Sequence, residues 1–233
     1  MEKYEGYTIA LALFDYVPIA FSALALTLIV KKLRHESSLA VSSLATLGAI
    51  LIVLGGLSKA TWKLILSGFS TNIMALNNSL FICLSAGFLL LAYALFSART
   101  PAKDNSVNSS IAIALIFIAS GGAALLAGTF SESRYWVFYL IGFTTMANTA
   151  VIFLLVRQAL RSQLYLAAIL LMVNLVGIFT LSALSRLPDQ TAALQWIEEL
   201  CNTGAQAAFA YAAWRLYQYA RQQGQEKSLP SNP

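Results

Sequence analysis

Hydrophobic side chains run through this sequence in long blocks, at about 8–30, 38–58, 73–97, 110–129, 135–156, 163–184 and 191–217. Each block reaches the roughly 20 residues that an α-helix, rising about 1.5 Å per residue, needs to cross about 30 Å of hydrocarbon. The breaks between them are short and polar. They include Lys31-Lys32-Leu33-Arg34-His35-Glu36, Arg99-Thr100-Pro101-Ala102-Lys103-Asp104, Ser131-Glu132-Ser133-Arg134 and Ser185-Arg186-Leu187-Pro188-Asp189. The longest connection joins the second and third blocks and contains Lys59, Trp62, Lys63 and Gly68. The pattern predicts an all-α, polytopic membrane protein with seven transmembrane helices. The bundle would occupy residues 1–219, and residues 220–233 would form a polar, disordered cytoplasmic tail.

Basic residues orient this topology. One side carries Lys31, Lys32, Arg34, Arg99, Lys103, Arg157, Arg161, Arg215, Arg221 and Lys227; the other carries Lys3, Lys59, Lys63, Arg134 and Arg186. The richer side is expected to be cytoplasmic, which puts the C-terminus inside and, with seven spans, the N-terminus outside. Trp62, Trp136 and Trp196 then fall near the outer interface, where an aromatic belt is expected. The acidic leader Met1-Glu2-Lys3-Tyr4-Glu5-Gly6 lacks the basic start of a secretory signal, so the first block reads as a retained span.

Composition agrees with this picture. Of 233 residues, 58% are hydrophobic and 11% charged, against about 45–50% apolar and about 25% charged in soluble domains. The net charge of +5 forms no basic patch, so a nucleic-acid partner is not expected; the expected partner is the lipid bilayer of a plasma or inner membrane. Cys83 and Cys201 each lie inside an apolar block and read as core residues. His35, the single histidine, sits in a charged loop without a second ligand at metal-binding spacing.

A shift of 127 residues aligns Arg34 with Arg161, Leu39 with Leu166, Leu44 with Leu171 and Leu57-Ser58-Lys59 with Leu184-Ser185-Arg186. Such a register suggests a parallel duplication of three-helix halves around a linking fourth span. On that fourth span, Ser120, Ala124 and Gly128 form a small-residue face suited to close helix packing.

Polar groups inside spans are costly, and each needs a partner or a role. Asp15 lies three residues before Pro18, so it either caps a proline kink or meets a basic group. Lys59 and Lys63 share a helical face if the second span continues past Gly55-Gly56; they either reach the outer headgroups or turn inward. Glu198, Asn202 and Gln206, preceded by Gln195, form a polar stripe on the last span, while Glu199 is rotated away and reads as interfacial. Asn77, Asn78, Thr144, Thr145, Asn148 and Asn174 are the facing candidates for a polar cavity opening outward.

The organisation resembles microbial rhodopsins and, more loosely, SWEET-type sugar transporters. The last rhodopsin helix reads Asp-x-x-Ala-Lys-x-x-Phe; here the string is Asn202-Thr203-Gly204-Ala205-Gln206-Ala207-Ala208-Phe209. The alanine and phenylalanine match, but amides replace the Schiff-base lysine and its counter-ion, so covalent retinal is not implied. Span six carries Phe179 but lacks the family's tryptophan, and the Pro-Gln signature of the SWEET group is absent.

No Ser-His-Asp set, phosphate loop or metal cluster is present, which points away from an enzyme. The leading expectation is a small-molecule-binding transporter or receptor without a resident cofactor. Its site would comprise Asp15, Lys59, Lys63, Asn78, Asn148, Glu198, Asn202 and Gln206. Asp15 and Glu198 would hold cations or protons, Lys59 and Lys63 anions, and the amides neutral groups. The alternatives are a non-catalytic subunit of a larger membrane complex, and a rhodopsin-like protein that binds a retinoid or carotenoid noncovalently. Membrane-protein partners and homo-oligomers fit the composition equally well.

Overall fold

Short polar side chains start and stop the helices. Thr8 accepts a hydrogen bond from the Leu11 amide and opens α1 (Ile9–Phe14). The chain bends at Asp15 and continues as α2 (Tyr16–Glu36). Ser37 donates back to the Leu33 carbonyl at 2.6 Å, and Ser38 caps the Val41 amide to begin α3 (Leu39–Phe69). Then follow α4 (Met74–Ser97), α5 (Tyr135–Arg161), α6 (Tyr165–Leu184) and α7 (Ala192–Ser228). The computed structural model describes residues 8–99, 116, 135–185, 187 and 191–228, with side chains described as far as Gln225 and that of Tyr135 excepted. No strand occurs among them. The expected fourth span at 110–129, with Ser120, Ala124 and Gly128, lies outside the described residues apart from Ile116, which belongs to the buried core.

Five helical stretches are long and apolar enough to cross a membrane: Ile9–Glu36, Leu39–Phe69, Met74–Ser97, Trp136–Arg161 and Tyr165–Leu184. The last helix is the longest, at 37 residues, yet is not among them. Its first half carries Gln195, Glu198, Glu199, Asn202 and Gln206, which lower its hydropathy where the bundle has the most polar work to do. α7 also runs helically to Ser228, through the first part of the stretch read as a disordered tail.

The second helix overruns its expected end. The segment holding Lys59, Trp62, Lys63 and Gly68, read above as a connection, is helical, and the link to α4 is only residues 70–73. The Gly55-Gly56 pair does not break the helix because both glycines are used for packing. A β-carbon at Gly55 would lie 3.0 Å from Cys83 Cβ, and one at Gly56 would lie 3.3 Å from Ile19. Ser70, in the left-handed region at φ 52°, ends the helix, and Trp62 Nε1 donates to Asn72 Oδ1 at 2.9 Å to pin the turn. A second left-handed residue, Gln163, ends α5: Leu164 N reaches Ala159 O at 2.8 Å and Gln163 N reaches Leu160 O at 3.1 Å. That paired closure stops a helix without glycine.

The helices form a closed ring, in which α2 packs on α3 and α7, α3 on α4, α4 on α5, α5 on α6, and α6 on α7. Its interior is aliphatic, built from residues such as Leu26, Ile29, Leu90, Leu91, Leu155, Leu171 and Leu216. Specific polar side chains cross-link neighbouring helices. Ser22 donates to Gln206 Oε1 at 2.9 Å between α2 and α7, and Asn174 Nδ2 donates to the Ala205 carbonyl at 3.0 Å between α6 and α7.

One consequence of the packing is directional. Gln158, near the end of α5, meets Glu36 at the end of α2, and Arg99, just past α4, donates to the Leu154 carbonyl of α5. The C-terminal ends of α2, α4 and α5 therefore share one end of the bundle, and α4 and α5 run parallel.

Candidate functional site

At the opposite end, three helices bring charge into the interior. Asp15 stands at the bend between α1 and α2, Lys63 lies six residues before the end of α3, and Glu199 seven residues into α7. At about 1.5 Å per residue, these positions sit roughly 10 Å inside their helix ends. Lys63 Nζ is 2.7 Å from Asp15 Oδ2 and 2.9 Å from Glu199 Oε1. Asp15 is 7% exposed, Lys63 7% and Glu199 8%, so all three are buried.

The triad decides between two pairs of open alternatives and corrects one sequence-based expectation. Asp15 makes no side-chain capping bond at the start of α2; its carboxylate is committed to Lys63. Lys63 does not reach for headgroups but turns inward, because two acids offset its desolvation. Glu199, read as interfacial, is the α7 residue that Lys63 engages. Its spacing from Gln195 and Thr203 was as legible as that of Glu198 from Asn202. Both series include Gln195 as their first turn, and periodicity alone does not say which face a neighbour carries.

Around the triad, Lys59 lies one turn before Lys63, half-buried and within electrostatic range of Asp15, Glu198 and Glu199. Glu198 is half-buried, and its Oε1 is enclosed without a hydrogen bond. Gln195 Oε1 and Thr203 Oγ1 are likewise enclosed and unbonded, while the Asp15 and Glu199 carboxyls hydrogen-bond to each other. Phe14, next in sequence to Asp15, and Trp196 of α7 meet at 5.5 Å between ring centroids with their planes tilted by 56°, and Tyr16 Oη lies 3.2 Å from Thr61 Oγ1. Lys59 and Lys63 face Asp15, Glu198 and Glu199, and with the proton that the hydrogen bond between the Asp15 and Glu199 carboxyls requires, two cations balance two negative charges.

The other expected residues are distributed more widely. Gln206, lower on α7, is bonded to Ser22, and Asn202 is half-buried between it and Glu198. Asn148 is buried on α5 and Asn78 half-buried on α4, and among the described residues neither makes a hydrogen bond to the triad. Thr145 bonds back to its own helix at Ile141 O. The cluster therefore gathers Asp15, Lys59, Lys63, Glu198 and Glu199, and leaves Asn78 and Asn148 outside it.

The far end of the bundle holds a second buried lysine that the sequence pattern did not single out. Lys32 is 2% exposed and pairs with Glu36 at 2.6 Å, one turn along α2. Glu36 also accepts from Gln158 of α5 at 3.4 Å. The signal was the i, i+4 Lys–Glu spacing, hidden inside a run that reads as a loop. Beside it, partial burial and the like charges of Arg157 and Arg161 lower the pKa of Arg99.

Among the described residues no group of three or more histidine, cysteine or acidic side chains is placed to hold a metal ion. No protein-family model matches this chain, and neither does any curated protein or solved structure.

Proposed function

We propose that this chain is a small-molecule-binding membrane protein, a transporter or a receptor, whose site is the acidic cluster around Lys63. The observation that carries this reading is the triad itself. Buried charges shared among α1, α3 and α7 are expensive to maintain in a membrane protein and mark sites where something is bound or moved. A thermal-shift screen of the detergent-purified full chain against amines, acids, sugars and amino acids tests it. At least one class should raise the melting temperature of the wild type and fail to do so in Glu198→Gln. A chain that binds none of them, yet purifies with a stoichiometric membrane partner, belongs instead to the accessory-subunit reading.

In this proposal the chain crosses the cell membrane seven times, N-terminus outside and C-terminus inside. The parallel course of α4 and α5 supports an odd count: a chain leaving α4 at one end must return to the other before α5 begins. The basic residues support the orientation, since Lys31, Lys32, Arg34, Arg99, Arg157, Arg161, Arg215 and Arg221 share the far end, while Lys59 and Lys63 occupy the acidic one. The 127-residue register overlays α2, α3 and α4 on α5, α6 and α7, which fits two three-helix halves. In a background with Cys83 and Cys201 replaced by serine, a cysteine at Lys3 should react with an impermeant maleimide on intact cells. One at Ser231 should react only after lysis. Equal labelling of both would mean an even number of crossings.

A further inference from the structure

We propose that the basic end of the bundle carries a seat for an anionic phospholipid, built where Arg99, Arg157 and Arg161 meet at the ends of α4 and α5.

Two helices bring these guanidinium groups together. Arg157 and Arg161 are one turn apart, so they share a face at the close of α5. Arg99, two residues past the end of α4, donates to the Leu154 carbonyl, which draws its side chain across to α5. Arg99 therefore lies within electrostatic range of both other arginines, and of Lys32 as well. All three arginines are exposed, and among the described residues none is in an ion pair. Glu36, an acid at the same end, is committed to Lys32 at 2.6 Å and to Gln158 at 3.4 Å. Like charges gathered without a counter-ion repel one another, and an anion that reaches all three relieves that repulsion. Guanidinium forks match the oxygens of a phosphate. Membrane orientation accounts for positive charge at this end, but it needs only charge in the flanking segments. It does not need arginines of two helices to converge, nor one of them to be tied to a neighbouring backbone.

The apolar surroundings select a lipid over free phosphate. α4 and α5 run parallel towards this end, so residues earlier in each helix lie deeper in the bundle. Phe96 precedes Arg99 by three residues and Phe153 precedes Arg157 by four, which puts each ring on the face of its arginine, about 5 Å deeper. Phe96 is 61% exposed and Phe153 64%. Leu160, beside Arg161, is exposed too. Guanidinium groups with exposed apolar side chains one turn below them match a headgroup phosphate and the acyl chain beneath it. Inorganic phosphate has nothing to place on the apolar part.

The test measures displacement of a fluorescent phosphatidylglycerol from the delipidated full chain in nonionic detergent. The competitors are phosphatidylglycerol and phosphatidylcholine with identical acyl chains, and inorganic phosphate. Phosphatidylglycerol should compete at least about tenfold better than phosphatidylcholine, and inorganic phosphate should not compete. Arg157→Gln with Arg161→Gln should weaken phosphatidylglycerol binding about tenfold. Lys31→Gln with Arg34→Gln removes the same charge from exposed positions of α2 at the same end and should leave binding nearly unchanged. Equal competition by the two lipids overturns recognition of the charged headgroup. Equal losses in the two double variants overturn the seat in favour of diffuse attraction, and competition by inorganic phosphate overturns the lipid assignment. If the Arg157 and Arg161 variant does not fold, the comparison of the two lipids on the wild type still decides.

Discussion

Replacing Lys63 with methionine is expected to lower stability by about 3–5 kcal/mol, the usual loss when one partner of a buried ion pair is removed. The side chain that remains is of similar length and packs in the same space, so the cost is electrostatic. Asp15 and Glu199 would be left buried, facing one another, with the cation between them gone. Thermal or denaturant unfolding of the detergent-solubilised chain measures the loss. The companion variant carries the argument further: Asp15→Asn, Lys63→Met and Glu199→Gln together remove every charge of the triad. Because neutral groups of similar shape carry no ionic desolvation penalty, the triple variant should recover most of the stability that the single one loses. Recovery would also separate two roles of the triad, since the triple variant should fold and fail to bind the small molecule of the proposed function. A Lys63→Met protein within about 1 kcal/mol of wild type would mean that the acids are solvated, and that the triad is a surface pair of ordinary weight.

How much of this could be read from the chain depends on the kind of signal. Apolar length is a strong signal, and the blocks beginning near residues 8, 38, 73, 135 and 163 became the five apolar helical stretches. Helix ends were weaker. Gly55-Gly56 and Gly68 read as an interruption, yet Gly55 and Gly56 sit against Cys83 and Ile19, so tertiary packing outweighed the about 1 kcal/mol that glycine costs a helix. At Gln163 the turn is built from backbone bonds on a residue type that gives no turn signal. For the site, Asp15, Lys59, Lys63 and Glu198 stood out because charge inside an apolar block is rare. Which residue faces which is a matter of helix rotation, set by all the neighbours at once. Glu199 was misplaced for that reason, and Lys32 was lost among the charges flanking it. The two serines at residues 37 and 38 cap the α2–α3 turn, a signal that apolar length alone does not use.

The same rotation problem hid a close helix crossing in the bundle, and this leads to the second large effect. α3 and α4 meet where Gly48 and Gly87 face one another. A β-carbon on Gly48 would lie 2.7 Å from the Gly87 carbonyl oxygen, and one on Gly87 would lie 2.7 Å from Ile52 Cγ1 and 2.8 Å from the Gly48 carbonyl oxygen. The obstacles include backbone, which cannot swing aside as a long side chain can, so any larger residue must push the helices apart. Gly87→Leu is expected to cost about 3 kcal/mol, the upper end of ordinary overpacking losses, because helix association in a bilayer depends on close backbone approach instead of water exclusion. Gly87→Ala should cost less but remain clearly destabilising. Gly68, also helical, has nothing within 4 Å of its would-be β-carbon. Gly68→Ala should therefore be neutral or gain up to about 1 kcal/mol, the difference in helix propensity alone. Unfolding of the three variants in one detergent decides the matter. If Gly87→Leu and Gly68→Ala unfold together with wild type, α3 and α4 do not cross at these glycines. If only Gly87→Leu falls, the pair holds together the same helix that delivers Lys63 to its acids. Separating α3 from α4 should then also weaken binding at a cluster whose charged residues it never touches.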